Sequence, residues 1–405
     1  MIVDLAKKLN EPILILVPSK ELLEQNLEKL LHIADRSEIG VFSASMGEHT
    51  IRMYTLATIQ SAYKNPELFK GFKVAIIDEA DLLNPKSLDG MYNKFFKEIG
   101  CEKVYGLTAT PYRLDSYYER WGAKRWQVKT ITTIKMINRY QSRFWDRMLY
   151  VINTNELLDQ GFLCKLEYVD DSLIEHEDLK MNKSHSDFDL TYFEQEILEK
   201  EKKILTGVEW AKRNYNSTLV FCSSIEQAHR LSEQTDGSAV ITGTTPPKQR
   251  EKTILDFRLG DTKVIFNVNV LTVGFDHPEL GCIIMVRPTR SIRLYQQMLG
   301  RGMRLAEGKK HCLVMDFSGN VKNIGKLATI ETKKIVNVRG NVEWNVVSEK
   351  CPGGYHYKKL YEFKPTSKTQ KVLQGYIVPS GGFGSHRPFS RLPTMVSDPD
   401  PELGW

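Results

Sequence analysis

The sequence has no CxxC pair among its six cysteines, Cys101, Cys164, Cys222, Cys282, Cys312 and Cys351. Neither a disulfide framework nor a zinc ribbon is signalled, and buried free thiols are expected. No apolar run approaches the roughly 18–20 residues that cross a bilayer. The first residues also lack the charged start and long apolar core of a signal peptide. A membrane partner is therefore not expected, and a cytoplasmic location is. A large excess of one charge sign is lacking too. The 56 Lys and Arg against 50 Asp and Glu permit a phosphate-backbone partner without by themselves pointing to one. What the chain does have is 405 residues, 41% of them hydrophobic, enough for two ordinary domains and a small third.

Short, continuous apolar runs at 13–17, 73–77, 103–107, 219–221, 263–268, 282–286 and 312–316 read as strands, with amphipathic stretches between them. Continuous rather than alternating runs are expected of parallel strands covered on both faces by helices. The pattern occurs twice, which predicts an α/β fold with two parallel-sheet domains, over 1–160 and 161–330. Between the two strand sets, 112–163 is rich in aromatic and basic residues. From about Val336 the texture turns to Gly, Pro and Ser, so 331–405 is expected to be a small, partly disordered β-rich tail. There "TIETKKIVNVRGNVEWNVV" has the alternation of a hairpin, with Arg339, Gly340 and Asn341 at its turn. The tail's interleaved aromatic and basic residues suit either a packed cap or a stacking surface for single strands.

The chemistry begins at "KVAIIDEADLL". An apolar strand ending in adjacent carboxylates puts Asp78 and Glu79 at the carboxyl edge of a parallel sheet, where open α/β sheets bind ligands. Such a pair can hold Mg²⁺ through water while its second member orients or deprotonates an attacking water. "GLTATPYR" is a second strand ending in small hydroxyl residues, and its Thr108 and Thr110 can bond to those carboxylates across the edge. In "NVLTVGFDHPEL", Thr272, Gly274 and Asp276 fall in a loop after a buried strand. In "YQQMLGRGMR", a helix would put Gln297, Arg301 and Arg304 on one face, with Gly300 leaving room beside them. Two arginines so placed can contact the phosphates of a nucleotide. Taken singly, these strings have plainer readings: an acidic helix start, a Thr-rich turn and a solvated basic face.

Taken in order, "VPSKELLEQ", "TIQSA", "IIDEAD", "LTATP", "LVFCSS", "ITGTTPPKQREKTILDF", "NVLTVGFDHPE" and "QMLGRGMR" resemble the motif set of superfamily 2 helicases and translocases. Over "RPTRSIRLYQQMLGRGMRLAEGKKHCLVMDFSGN" the resemblance is to bacterial RadD-type DNA repair helicases and restriction-enzyme motor subunits. The letters DEAD do not make this a DEAD-box RNA helicase, because that group has SAT where this chain has "TAT", and a His-initiated arginine motif where it has Gln297.

The resemblance implies two RecA-like domains in tandem, ATP and Mg²⁺ as cofactors, and an ATP-dependent motor on DNA, with RNA the less favoured partner. It makes Asp78, Glu79, Arg301 and Arg304 catalytic, with Mg²⁺ on Asp78 through water. Asp81, Thr108, Thr110, Gly274, Asp276 and Gln297 would couple to the nucleotide. Ser19, Lys20, Thr58, Gln60, Thr242, Gly243 and Thr272 would grip the nucleic-acid backbone. RadD-type proteins also carry zinc-ligand cysteines after the second domain, where this chain has Cys351 alone, so no zinc site is expected. The family's P-loop, GxGK[ST], has no counterpart, and "MIVDLAKKLN" matches the helix just beyond it. The expectation is a first domain lacking its P-loop strand, through truncation at an internal Met or a split gene whose other part supplies the missing segment. The alternative is a hydrolysis-dead module that still binds nucleic acid.

Overall fold

The computed structural model describes residues 2, 8–9, 11–84, 90–120, 128–140, 144–183, 186–271, 275–336 and 342–347. Thr272, Gly274, Cys351 and the aromatic-basic tail beyond Val347 lie outside the described residues. Packing divides the chain into two compact units, Met1–Arg113 with Met136–Leu149, and Leu114–Lys135 with Tyr150–Trp405.

The sheet of the first unit comprises β1 (Ile13–Val17), β2 (Ile39–Ser43), β3 (Glu48–His49), β4 (Tyr54–Thr58), β5 (Val74–Asp78) and β6 (Lys103–Leu107), in the order β3-β2-β4-β1-β5-β6. All neighbours are parallel except β2 with β3. β1 is "ILILV", wholly buried and flanked on both sides, the environment that suits a continuous apolar run. Alternate residues serve opposite faces. Leu14, Leu16, Ala75 and Ile77 pack with Phe69 and Phe95, whereas Ile13, Ile15, Val17 and Ile76 pack with Leu23 and Leu30. The latter two come from α1 (Lys20–Leu31), which Ser19 starts by accepting the Leu22 N–H at 3.3 Å. α2 (Met91–Ile99) ends at Gly100, whose φ of 68° only glycine adopts readily. At Gly106 in β6, a Cβ would come within 2.4 Å of the Trp145 ring and 2.8 Å of Ala80.

A two-stranded ribbon, β7 (Tyr112–Arg120) and β8 (Val128–Met136), occupies a stretch where the sequence reading places no strand. The sheet of the second unit is built from β9 (Lys165–Asp170), β10 (Thr218–Cys222), β11 (Ser238–Ile241), β12 (Val264–Asn267), β13 (Cys282–Val286) and β14 (His311–Asp316). They run in the order β11-β12-β10-β13-β14-β9, parallel throughout. Helices α3 (Glu201–Asn214), α4 (Ile225–Glu233), α5 (Pro247–Leu259) and α6 (Ile292–Gly300) accompany it. β15 (Glu331–Val336) pairs antiparallel with β16 (Val342–Val347), Val336 opposite Val342. The turn at Arg339, Gly340 and Asn341 lies outside the described residues.

The five described cysteines are free, and four are buried. Burial pushes the Cys312 thiol up to about 12 and the half-buried Cys101 to about 11, so both favour the protonated form at neutral pH. Among the described residues, no helix is long and apolar enough to cross a membrane.

Gly106 yields a test. Gly106→Ala is expected to destabilise the first unit by about 1–3 kcal/mol through overpacking against Trp145. Gly71→Ala, where a Cβ meets nothing within 4 Å, should change stability by no more than about 0.5 kcal/mol. Denaturant titrations of the two variants make the comparison, and equal effects would contradict the packing account.

Candidate functional site

At the carboxyl end of β5 the chain makes a tight, unusual turn. Asp78 closes the strand, and its two carboxylate oxygens accept from Asn26 Nδ2 at 3.0 Å and from the Glu79 N–H at 3.1 Å. Glu79 then takes φ 52°, ψ 50°, a left-handed conformation uncommon outside glycine. A short 3₁₀ turn, Ala80–Leu82, follows and buries Asp81 completely. Thr108 and Thr110, on the turn after the neighbouring β6, donate their hydroxyls to the two oxygens of Asp81 at 2.7 and 3.2 Å. Thr108 Oγ1 in turn accepts the Thr110 N–H at 3.0 Å. The threonines thus meet the carboxylates as the sequence suggests, but through Asp81 rather than through Asp78 or Glu79. Asn26 carries no signal in the sequence. It reaches Asp78 because α1 packs over β1, the neighbour of β5.

In the second unit, α6 starts at Ser291, whose hydroxyl accepts the Leu294 N–H at 3.2 Å, and stops at Gly300. The helical face expected to run from Gln297 through Arg304 therefore ends early. Arg301 is the helix cap, and Arg304 lies beyond in a turn. The two guanidiniums nevertheless converge. Arg301 Nη1 and Arg304 Nη1 both donate to the Phe275 carbonyl, at 2.8 and 2.7 Å, and Arg304 also pairs with the Asp276 carboxylate. A Cβ at Gly300 would meet nothing within 4 Å. Gln297 Nε2 is buried without a partner.

Two further cations fix the same loop. Arg258 Nη2 donates to the Asp276 carbonyl at 2.8 Å. Lys309 Nζ donates to the carbonyls of Pro278, Gly302 and Arg304 at 2.8, 2.9 and 3.0 Å, tying the loop to the turn after α6. Burial pushes the Lys309 pKa down, and the neighbouring thiols and Glu279 oppose that shift. Its place in "AEGKKH" gives no hint of this role.

The residues expected to grip nucleic acid follow strand ends. Ser19 and Lys20 come after β1, half-buried, with Lys20 3.5 Å from Glu24. Thr58 ends β4, buried, its hydroxyl donating to Ser61 at 2.9 Å, and Gln60 just beyond is exposed. Thr242 follows β11, buried in a turn where its N–H donates to Thr245 Oγ1 at 2.9 Å and its hydroxyl lies 2.9 Å from that of Thr244. Gly243 is exposed, with open space where a Cβ would be. The buried hydroxyls of Thr58 and Thr242 shape these turns. The exposed backbone and side chains beside them face solvent.

Comparison with known proteins bears on both edges. Residues 1–113 match the family model described as "Type III restriction enzyme, res subunit", and residues 196–306 match "Helicase conserved C-terminal domain". A Schizosaccharomyces pombe protein named as the mitochondrial ATP-dependent helicase irc3 is 28% identical over 337 residues, covering 78% of this chain and 50% of that protein. The chain thus spans half the length of that relative. The "DNA 3'-5' translocase XPB2" of Sulfurisphaera tokodaii is 26% identical over 316 residues, 72% of this chain and 69% of that protein. Among solved structures, a fragment assigned as the HsdR subunit of a type I restriction enzyme from Vibrio vulnificus YJ016 shares the fold. Its TM-score is 0.53 at 18% identity, with 78% of this chain and 55% of that one covered. The two parallel-sheet units resemble tandem RecA-like domains.

The Asp81 bonds make a testable unit. Asp81→Ala leaves two hydroxyls short of an acceptor and is expected to cost about 2–3 kcal/mol. A double-mutant cycle of Asp81→Ala with Thr108→Ala should give a coupling energy on the order of 1 kcal/mol, and additive losses would show that the bond carries nothing.

Proposed function

We propose that this chain, a member of helicase superfamily 2, forms the core of an ATP-dependent DNA translocase. The turn at Asp78 and Glu79 carries this reading, since it presents two adjacent carboxylates at the carboxyl end of a central parallel strand. Each Asp78 oxygen accepts one protein hydrogen bond and keeps lone-pair capacity for a water on Mg²⁺. Among the described residues, no group of three His, Cys, Asp or Glu side chains could hold a metal by itself. Asp78 therefore fits Mg²⁺ as the family uses it, through water and alongside nucleotide phosphates. Bound there, Mg²⁺ supplies charge neutralisation to the phosphates. In this reading Glu79 orients the attacking water and takes its proton. Asp81, Thr108 and Thr110 connect that turn to its neighbour. Arg301 and Arg304 serve as the cations that stabilise the transferred phosphoryl group, with Asp276, Gln297 and Gly274 assigned to nucleotide coupling.

DNA is favoured over RNA by the translocase and restriction-enzyme likenesses, and a role in DNA repair in the cytoplasm completes the proposal. Ser19, Lys20, Thr58, Gln60, Thr242, Gly243 and Thr272 form the proposed backbone grip, and tracking the backbone makes that grip indifferent to sequence. The 405 residues themselves contain no GxxxxGK[ST], the loop that cradles phosphates, so their hydrolysis of ATP depends on that loop being supplied.

Three outcomes are expected. The 405 residues should hydrolyse ATP no faster than background, with or without DNA, and robust turnover abolished by Glu79→Gln would refute this. Fused behind a segment carrying GxGK[ST], the chain should turn over ATP, and Arg301→Ala should then lose on the order of 10³-fold or more. Oligonucleotide binding should be weak, independent of sequence and steeply weakened by salt, whereas a sequence-selective footprint that survives high salt would contradict the backbone grip.

A further inference from the structure

Arg287, on the carboxyl edge of the second sheet, has a chemistry that the reading above leaves unused. It directly follows β13, and its carbonyl accepts from Asn320 Nδ2 at 2.8 Å, which fixes the main chain. Its side chain crosses the end of β10, the strand that separates β12 from β13, and Nη1 donates to Asn269 Oδ1. Asn269 has a φ of 59°, so the backbone after β12 holds a left-handed turn that aims this carboxamide.

A guanidinium carries five N–H donors. Among the described residues this one has a single, neutral acceptor and no carboxylate within ion-pair distance, and its Nε is sealed from solvent without a partner. Asp187 acts on it through space. That carboxylate, however, is already engaged by the Thr289 hydroxyl at 2.8 Å and by the N–H groups of Arg290 and Phe188 at 2.7 and 2.9 Å. Burial pushes the Arg287 pKa down, as it does for a cation short of counter-charge. A half-buried cation in that position calls for an anion with several acceptor oxygens, and a phosphate matches the guanidinium fork.

The surroundings say which phosphate. The Val268 N–H donates to the Ile241 carbonyl at 3.2 Å, which sets Asn269 beside the Thr242–Gly243 turn. Ser223, at the end of β10, donates its hydroxyl to the Val286 carbonyl at 2.8 Å, directly before Arg287. Thr242, Asn269, Ser223 and Arg287 therefore follow the ends of four adjacent strands, in the order β11, β12, β10, β13. Arg301 and Arg304 are held instead to the 275–276 loop. We propose that Arg287, positioned by Asn269, contacts a phosphodiester of the nucleic-acid strand received by the Thr242–Gly243 turn. The inference rests on the nucleic-acid reading given under Proposed function.

The test is a fluorescence-anisotropy titration of labelled oligothymidylate with the 405-residue chain, across salt from about 50 to about 300 mM. Arg287→Gln should bind about tenfold more weakly at low salt, and its slope of log K against log salt should be shallower by about 0.7, the single-strand value for one phosphate. Arg287→Lys, which keeps the charge, should retain the wild-type slope. Should Arg287→Gln not fold, phenylglyoxal modification of the wild-type chain decides: oligonucleotide should slow the labelling of Arg287, and inorganic phosphate should not. Wild-type affinity and slope in Arg287→Gln, or unprotected labelling, overturns the inference alone. A wild-type chain that binds no oligonucleotide overturns the functional reading and this inference with it. Loss of ATP or inorganic phosphate binding in Arg287→Gln, with the oligonucleotide slope unchanged, assigns Arg287 to free phosphate and also overturns it.

Discussion

The buried carboxylate of Asp81 is what the working edge of the first sheet depends on. A carboxylate removed from water is costly unless donors surround it, and here the hydroxyls of Thr108 and Thr110 are among those donors. The turns after β5 and β6, already adjacent through the pairing of Asp78 with Leu107, are therefore fastened side chain to side chain. Neither can move alone without stranding buried polar groups. Asp78 and Glu79 sit on the first of these turns, so their placement is set by a lock two residues beyond Glu79. The left-handed backbone at Glu79 is strain of the kind that persists where the surroundings over-determine a conformation.

In the second unit the loop that leads into β13 is organised by the opposite charge. Arg258, Arg301, Arg304 and Lys309 each place N–H donors on main-chain carbonyls of the 275–278 loop, and Lys309 adds those of Gly302 and Arg304. Carbonyl ligands hold a cation without neutralising it. The loop is tied by four cationic side chains, and positive charge is retained beside it, partly offset by Asp276. Such a cluster suits anionic ligands and pre-pays the ordering of long side chains that would otherwise weaken binding.

Much of this was legible in the sequence, and the gaps have physical causes. The runs "ILILV" and "CIIMV" announce strands because both of their faces are buried. β4 hides behind Thr55, a polar residue that is fully buried because its hydroxyl bonds with the backbone of Arg52. β9 is an edge strand with largely exposed side chains, so no apolar run marks it. Asp78, Glu79, Thr108 and Thr110 were found from strand ends alone, yet the acceptor of the threonines is Asp81, since only the fold shows which carboxylate turns inward. Helical spacing put Arg304 on the face of Gln297, but periodicity does not say where a helix stops, and α6 stops at Gly300. Lys309, Asn26 and Arg287 act through partners distant in sequence, and no local pattern encodes such contacts.

If the carboxyl edges carry nucleic acid, then bases held against them should react there and nowhere else. Photo-crosslinking of a 4-thiothymidine oligonucleotide to the chain, followed by mass-spectrometric mapping of the linked peptides, reads this directly. The account predicts crosslinks in the turns after β1, β4, β11, β12 and β13, around Ser19, Gln60, Gly243, Asn269 and Arg287. Crosslinks confined to the outer faces of helices such as α3 or α5, with those turns unlabelled, would contradict it.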